Sequence, residues 1–268
     1  MKKRIDELLV ELGFAENRSK AKQYIKDQKA VTADGKLITK AGFLVEETAN
    51  IVVDKNEVEF VSRAGLKLEK ALSRWSLNIE DKTVLDIGAS TGGFTECALN
   101  NGASKVYALD VGVGQLHPTL LNDSKVVNME KFNFRDAVKT DFDQNIDFFC
   151  CDVSFISVEK ILIPLKDIVE IGVEGVILIK PQFESEIEEV RHGKINSKDI
   201  HFKDIVKVIR YALHNGFTVK KITYSPIKGN KKQNIEYLAL LERSDNPSSR
   251  FKDEDIWEIV DRTWKTLV

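Results

Sequence analysis

Nowhere in these 268 residues is there a run of about 18 apolar side chains, the length a membrane-spanning helix requires. The first residues, Met1-Lys2-Lys3-Arg4-Ile5-Asp6-Glu7, are basic but lead into an acidic pair and no long apolar stretch, so a signal peptide is not expected. Cysteine is scarce. Cys97, Cys150 and Cys151 make an odd count, and two are adjacent. That argues against a disulfide framework and for a reducing, cytoplasmic setting. His117, His192, His201 and His214 show no ligand spacing, so no metal is expected. Internal repeats and long low-complexity tracts are missing too. What is present is 43% apolar residues, enough for a buried core, in a length that suits a small domain followed by a medium one.

The net charge of -2 argues against a uniformly basic nucleic-acid binder. Its distribution is uneven. Residues 1–40 hold ten Lys/Arg against six Asp/Glu, a local excess of +4, and the rest of the chain is acidic. A basic face can track phosphates even when the whole chain is near neutral. Charge alone favours the plainer reading of a solvated helix face.

The spacing of Ile5, Leu8, Leu9 and Leu12 predicts a helix ending at Gly13. Asn17 is placed to cap a second helix with Ala21, Tyr24 and Ile25 on its apolar side. Short β-like pieces follow at Ala30-Val31-Thr32, Lys36-Leu37-Ile38 and Ile51-Val52-Val53, with a turn at Ala33-Asp34-Gly35. This stretch, about residues 3–53, resembles an S4 RNA-binding domain through Arg4-Ile5-Asp6, Leu8-Leu9, Leu12-Gly13-Phe14, Asn17-Arg18-Ser19, Asp34-Gly35 and Lys40-Ala41-Gly42. The resemblance implies that Arg4, Arg18, Lys20 and Lys22 meet structured RNA. Asp27-Gln28-Lys29 departs from it, where a glycine is usual before the hairpin. Asp54 to Val61, polar but for Phe60, reads as an interdomain link, giving domains at 1–60 and 61–268.

From Thr83 the rhythm becomes apolar strands alternating with longer amphipathic segments, the pattern of a parallel, doubly wound α/β sheet. Strands are predicted at 83–87, 105–109, 126–129, 147–151, 175–179, 217–224 and 235–241, the last two as a hairpin around Gly-Asn-Lys-Lys-Gln. Seven strands ending in a hairpin resemble the Rossmann-like class I methyltransferase fold. A closing helix is expected to pack through Ile256, Trp257, Val260 and Trp264.

The segment Val84-Leu85-Asp86-Ile87-Gly88-Ala89-Ser90-Thr91-Gly92-Gly93-Phe94 runs a buried strand into a glycine-rich turn. Glycine belongs where the backbone needs positive φ or a ligand comes close. Such a turn at the carboxyl end of a parallel strand is where α/β folds bind nucleotides. It matches neither the dinucleotide fingerprint nor a P-loop. Asp110 ends the next strand, 22 residues past Gly88, where a carboxylate can accept ribose hydroxyls. Together these residues resemble the S-adenosylmethionine signature of methyltransferases. The implied cofactor contacts are Asp86, Gly88, Ser90, Gly92, Gly93, Phe94, Asp110 and Asp152. Asn133 and Phe134 in Asn133-Phe134-Arg135-Asp136 lie where an adenine edge would be read, or form a surface loop.

Two further strands end on charges, Phe149-Cys150-Cys151-Asp152 and Val176-Ile177-Leu178-Ile179-Lys180, on the same edge as the glycine turn. Asp152-Val153-Ser154-Phe155 is not the Asp/Asn-Pro-Pro-aromatic motif of amino-methylating enzymes. Cys150 and Cys151, on an apolar strand, read as core and not as a cytosine C5 nucleophile. Lys67 in Ser62-Arg63-Ala64-Gly65-Leu66-Lys67-Leu68, with Asp152, Lys180 and Glu236 in Asn234-Ile235-Glu236-Tyr237, resembles the Lys-Asp-Lys-Glu tetrad of FtsJ-like ribose 2'-O-methyltransferases. With the S4-like region in front, the whole resembles the TlyA family, the haemolysin A group. That implies transfer of a methyl group from S-adenosylmethionine to a ribose 2'-hydroxyl, chiefly of cytidine, in ribosomal RNA or ribosomal subunits. Ser185 to Asn196 is poorer in glycine than the family pattern. Whether Lys180 acts as base or as orienting donor is open. Two other readings stand beside this one, a pore-forming haemolysin and an RNA-binding assembly factor without catalysis.

Overall fold

The computed structural model describes residues 2–15, 17–26, 31–53, 60–229 and 232–267. The predicted turn at Asp27-Gln28-Lys29, the start of a strand at Ala30 and most of the predicted link, residues 54–59, lie outside them. The chain divides into two compact units, residues 1–59 and 60–268.

The first unit holds β1 (Lys2–Arg4), α1 (Ile5–Glu11), α2 (Arg18–Lys26), β2 (Val31–Ala33), β3 (Lys36–Leu37), β4 (Leu44–Glu46) and β5 (Ile51–Val53). β1 pairs antiparallel with β4, and β2 lies between β3 and β5. Ile5, Leu8, Leu9, Ala21 and Ile25 form its small core with Val31 and Val45. Asn17 Oδ1 accepts the Lys20 N–H at 3.0 Å, the cap that starts α2. Leu12 departs from the expectation. It is 50% exposed, because α1 stops at Glu11 and the chain turns away at Gly13, where φ is +71°.

The second unit is built on a seven-stranded sheet in the order β11-β12-β10-β9-β6-β7-β8. The strands are β6 (Thr83–Ile87), β7 (Lys105–Leu109), β8 (Val126–Met129), β9 (Phe148–Cys151), β10 (Glu174–Ile179), β11 (Phe217–Tyr224) and β12 (Tyr237–Arg243). Five run parallel, and β12 is antiparallel to both β10 and β11. Every predicted strand is present to within two residues at each end. β6, in the middle, is buried throughout, as expected of a strand covered on both faces. One face carries α6 (Glu159–Ile168), α8 (Lys198–His214) and α9 (Asp253–Leu267); the other carries α3 (Gly65–Trp75) and α4 (Gly93–Asn100). Short helices α5 (Pro118–Leu121) and α7 (Pro181–Glu184) follow β7 and β10. On α9, Ile256 and Val260 are buried and Trp264 packs on the core, while Trp257 stacks on Phe202 with 4.6 Å between ring centroids.

Phe60 is not a linker side chain. It is 6% exposed in the core with Leu68 and Leu72. A Cβ on Gly65 would come within 2.3 Å of the Phe60 ring, so α3 can start there only with glycine.

After β6 the chain goes to β7 and β8 on one side, then returns to β9 on the other. That reversal opens a crevice at the carboxyl ends of β6 and β9, the place where α/β sheets bind ligands.

Candidate active site

The glycine turn lies at this crevice. Gly88 and Gly92 have φ of +85° and +96°. A Cβ on Gly88 would stand 2.9 Å from the main-chain oxygen of Asp152, and one on Gly92 would stand 2.2 Å from Leu120. Gly93 begins α4, and a Cβ there would meet the Gly65 nitrogen at 2.9 Å. At Gly88, Gly92 and Gly93 the turn thus has no room for a side chain.

Asp110 ties it down from β7. Oδ2 accepts the Ser90 N–H at 2.9 Å and Oδ1 accepts the Gly112 N–H at 2.7 Å. A carboxylate has about four acceptor positions, so ribose hydroxyls can still be received. Asp86 is fully buried, and its Oδ2 accepts the Thr95 hydroxyl at 2.6 Å. Burial pushes its carboxyl up to about 7, against the pull of that bond. Among the described residues its Oδ1 has no hydrogen-bond partner. A glycine cradle, a strand-end carboxylate with spare acceptor capacity and an orphaned buried oxygen fit an adenosyl-type cofactor.

Two expected contacts have their side chains elsewhere. Phe94 is packed with Leu68 and Val84, and Phe134 is packed with Tyr107 and Phe142. Only their backbones are left to face a ligand. Asn133 Nδ2 donates to Asp136 at 2.9 Å, and its Oδ1 accepts the Arg135 side chain at 3.1 Å.

Lys67, Asp152, Lys180 and Glu236 meet. Lys180 Nζ stands 2.5 Å from Asp152 Oδ1, Lys67 Nζ 3.0 Å from Asp152 Oδ2, and Lys67 Nζ 2.8 Å from Glu236 Oε2. The order is cation, anion, cation, anion, and all four side chains are nearly closed to solvent. Burial disfavours the Lys67 ammonium, but Asp152 and Glu236 outweigh it and hold its pKa above the ordinary value. Burial likewise works against ionised Asp152, and Lys67 and Lys180 together keep its pKa below the ordinary value. The backbone explains the convergence. Asp152 and Lys180 follow β9 and β10 directly, and Glu236 precedes β12, whose first residue pairs with Ile179. Lys67 comes from the first turn of α3, which the glycine contacts above bring close.

Three partners carry no sequence signal of their own. Ser154 Oγ accepts from Lys180 Nζ at 3.0 Å. Glu184 is buried, and its carboxylate accepts the Ser157 hydroxyl at 2.6 Å and the Val158 N–H at 2.9 Å. It therefore joins the segment after Lys180 to the segment after Asp152. Phe155 is 92% exposed with φ of +63°, its ring 5.0 Å from that of Phe183. Cys150 and Cys151 are fully buried, and burial drives the Cys151 thiol up to about 12 and that of Cys150 well above its usual value. Neither is a nucleophile.

In the first unit, Arg4 and Arg18 converge on buried Asp6. Arg4 Nε donates to Oδ1 at 3.0 Å, and Arg18 donates to Oδ2 at 3.1 Å. Lys22 is exposed on α2, and Lys20 lies 5.8 Å from the Tyr24 ring centroid.

A doubly wound sheet with a glycine cradle at its crevice, closed by an antiparallel hairpin strand, defines a class I methyltransferase architecture. Residues 60–243 match the FtsJ-like methyltransferase family and residues 3–51 match the S4 domain. The chain belongs to the FtsJ-like methyltransferase family, with an S4 domain in front. YqxC of Bacillus subtilis (strain 168) is 39% identical over 270 residues, 99% of this chain and 95% of that one. The 16S/23S rRNA (cytidine-2'-O)-methyltransferase TlyA of Mycobacterium tuberculosis is 35% identical over 240 residues, 89% of each chain. A solved structure from Streptococcus thermophilus, which carries the hemolysin name, is 40% identical with a TM-score of 0.78, over 98% of this chain and 96% of that one. Among the described residues no helix is long and apolar enough to cross a membrane.

Proposed function

We propose that this enzyme transfers a methyl group from S-adenosylmethionine to a ribose 2'-hydroxyl of ribosomal RNA, cytidine being the favoured acceptor. The observation that carries the reading is the interlocked chain Lys180–Asp152–Lys67–Glu236 beside the glycine cradle. The S4 domain and the relatives named for rRNA methylation support the choice of acceptor.

When bound, S-adenosylmethionine supplies an electrophilic methyl carbon. Asp86, the Gly88–Gly93 turn and Asp110 would hold it, with the backbone near Asn133 and Phe134 available to its base. Lys180, steadied by Asp152 and Ser154, hydrogen-bonds the acceptor oxygen and turns a lone pair toward the methyl carbon. Alignment of this kind is the main demand of an in-line displacement. The acceptor hydroxyl would become acidic as it is methylated, and its proton would pass to water. Both Asp152 oxygens are occupied by lysines, so Asp152 positions the cations and takes no proton. Lys67, kept charged by two carboxylates, holds Asp152 and Glu236 in place. Exposed Phe155 offers a face on which an unstacked base can rest.

The test pairs two variants with labelled S-adenosylmethionine and ribosomal subunits from a strain lacking the enzyme. Lys180→Ala is expected to keep cofactor affinity and lose about 10²–10⁴-fold or more in transfer. Asp110→Ala is expected to weaken cofactor binding by about 1.5–3 kcal/mol. Near-normal turnover by Lys180→Ala, or label found on a base instead of a ribose, would overturn the assignment. Membrane leakage surviving substitution in the glycine turn would support a pore-forming role instead.

A further inference from the structure

The cations of α3 continue beyond the tetrad. Arg63, Lys67, Lys70 and Arg74 are spaced by four, three and four, which puts them along one side of the helix and its leading turn. Lys70 leaves the catalytic cluster. Its Nζ donates to the main-chain oxygen of Tyr224 at 2.8 Å and stands 3.4 Å from the centroid of the Tyr224 ring. Among the described residues Lys70 forms no ion pair with a carboxylate. Burial and the neighbouring Arg74 bring its pKa down to about 8.

Beyond Lys70 a groove of about 400 Å³ opens between α3, the edge strand β11 and the start of α9. Arg74, Tyr224, Arg250, Phe251 and Arg262 are among its lining residues. Two carboxylates also face it, and both are engaged. Glu258 accepts from Arg262 at 2.9 Å, and Asp255 accepts the Lys252 N–H at 2.9 Å. Arg74, Arg250 and Arg262 still outnumber the two carboxylates of the lining, on a concave surface that also holds two aromatic rings, with Lys70 beside Tyr224. An excess of positive charge on a concave surface favours an anion. Guanidinium groups beside aromatic faces are the chemistry that holds single-stranded nucleic acid, phosphates on the cations and bases on the rings.

The groove is continuous with the catalytic edge. Tyr224 pairs with Tyr237 across β11 and β12, and the N–H of Ser225 donates to the main-chain oxygen of Glu236 at 2.8 Å. From Lys67 to Arg74 the helix rises roughly 10 Å, a short step along an RNA strand. We propose that this groove holds the single-stranded RNA flanking the methylated nucleotide, with phosphates on Arg74 and Arg250 and a base against Phe251. The inference rests on the RNA-methylating reading and adds the surface that guides the acceptor strand.

The test uses the full chain and the variant Arg74→Ala/Arg250→Ala, whose side chains are both exposed and outside the tetrad and the cofactor cradle. Binding of a fluorescent single-stranded oligocytidylate is followed against salt. The variant is expected to bind about tenfold more weakly, with a log–log salt slope shallower by about 0.7 per lost contact. Its KM for undermethylated ribosomal subunits rises while kcat and cofactor affinity stay level. Ultraviolet crosslinking of the wild type is expected to place the oligonucleotide on the peptides holding Tyr224 and Phe251. Unchanged affinity and slope, crosslinks confined to residues 1–59, or a groove that takes polyglutamate and not RNA would overturn the proposal. A wild type that binds the oligonucleotide in the groove but transfers no methyl group would fail the reading of function and leave the groove standing.

Discussion

In the N-terminal unit the arginines stand largely in water and reach inward to one buried carboxylate, Asp6, whereas the second unit takes both signs of charge out of water and interlocks them as Lys180, Asp152, Lys67 and Glu236. The first arrangement leaves each guanidinium partly in water, with Asp6 fixing where it starts. The second leaves each of the four side chains held by an oppositely charged neighbour. Exposed pairs of the first sort contribute about 0–1 kcal/mol. Removing one member of a buried network strands its partners, at a cost of about 3–5 kcal/mol. The same ion pairing is therefore half-solvated in one unit and a source of rigidity in the other.

The largest expected effect that would sharpen this contrast is on stability. Lys67→Ala leaves Asp152 with one cation and Glu236 with no ion-pair partner among the described residues, and should lower the unfolding free energy of the second unit by about 3–5 kcal/mol. Arg18→Ala, on a side chain about half exposed, should cost no more than about 1 kcal/mol. Denaturant titration of both variants decides. Equal losses would erase the distinction between the two units.

A second difference lies in acid response. Asp6 has its pKa lowered, first by the Arg4 hydrogen bond and then by Arg18, against its burial. Its contribution is present above the unfolded value of about 4 and is lost as pH falls through the folded value. Glu184 behaves oppositely. Burial, opposed by Ser157 and Val158, raises its pKa to about 7. The folded state then binds more protons than the unfolded one between about 4 and 7. Stability from this group declines as pH rises across that window, by roughly 3–4 kcal/mol. Glu184→Gln should flatten the pH dependence of thermal unfolding between pH 5 and 8. A profile identical to the wild type would show that Glu184 does not titrate there.

The smallest expected effect is on recognition by the S4 domain. Changing Arg4, Arg18, Lys20 and Lys22 to alanine should weaken binding to ribosomal RNA and flatten its salt slope by up to roughly 0.9 per lost duplex contact. Cofactor binding should be unaffected. An unaltered slope would assign RNA affinity to the second unit, and the groove beside α3 would then be the first place to look.

Much of this was legible in the sequence, for identifiable reasons. The seven strands announce themselves because a buried parallel sheet needs continuous apolar runs, and Asp152 and Lys180 stand out as charges ending such runs. β1 and β4 do not, since three residues are too few to show a period. Leu12 and Phe60 misled in opposite directions, because helix spacing says nothing about where a glycine diverts the chain, and a lone aromatic in a polar stretch gives no sign of the pocket it fills. Ser154, Thr95 and Glu184 were silent for another reason. Their roles are individual hydrogen bonds to residues in other elements, which leave no periodic pattern. The groove is silent likewise, its members near 74, 224 and 250 being brought together only by the sheet edge.

The contact between Gly65 and Gly93 has a genetic consequence. A Cβ at either position would strike its neighbour, the Phe60 ring in one case and the start of α3 in the other. Adding one methyl group at residue 93 would push α3 away from α4 and carry Lys67 with it, although no charged residue had changed. The gene can therefore be silenced by alterations that keep the tetrad, the S4 cations and the cofactor carboxylates intact. A selection for loss of methylation should recover glycine codons at 65 and 93 alongside those for the charged residues, and these alleles would look harmless to anyone inspecting only the chemistry.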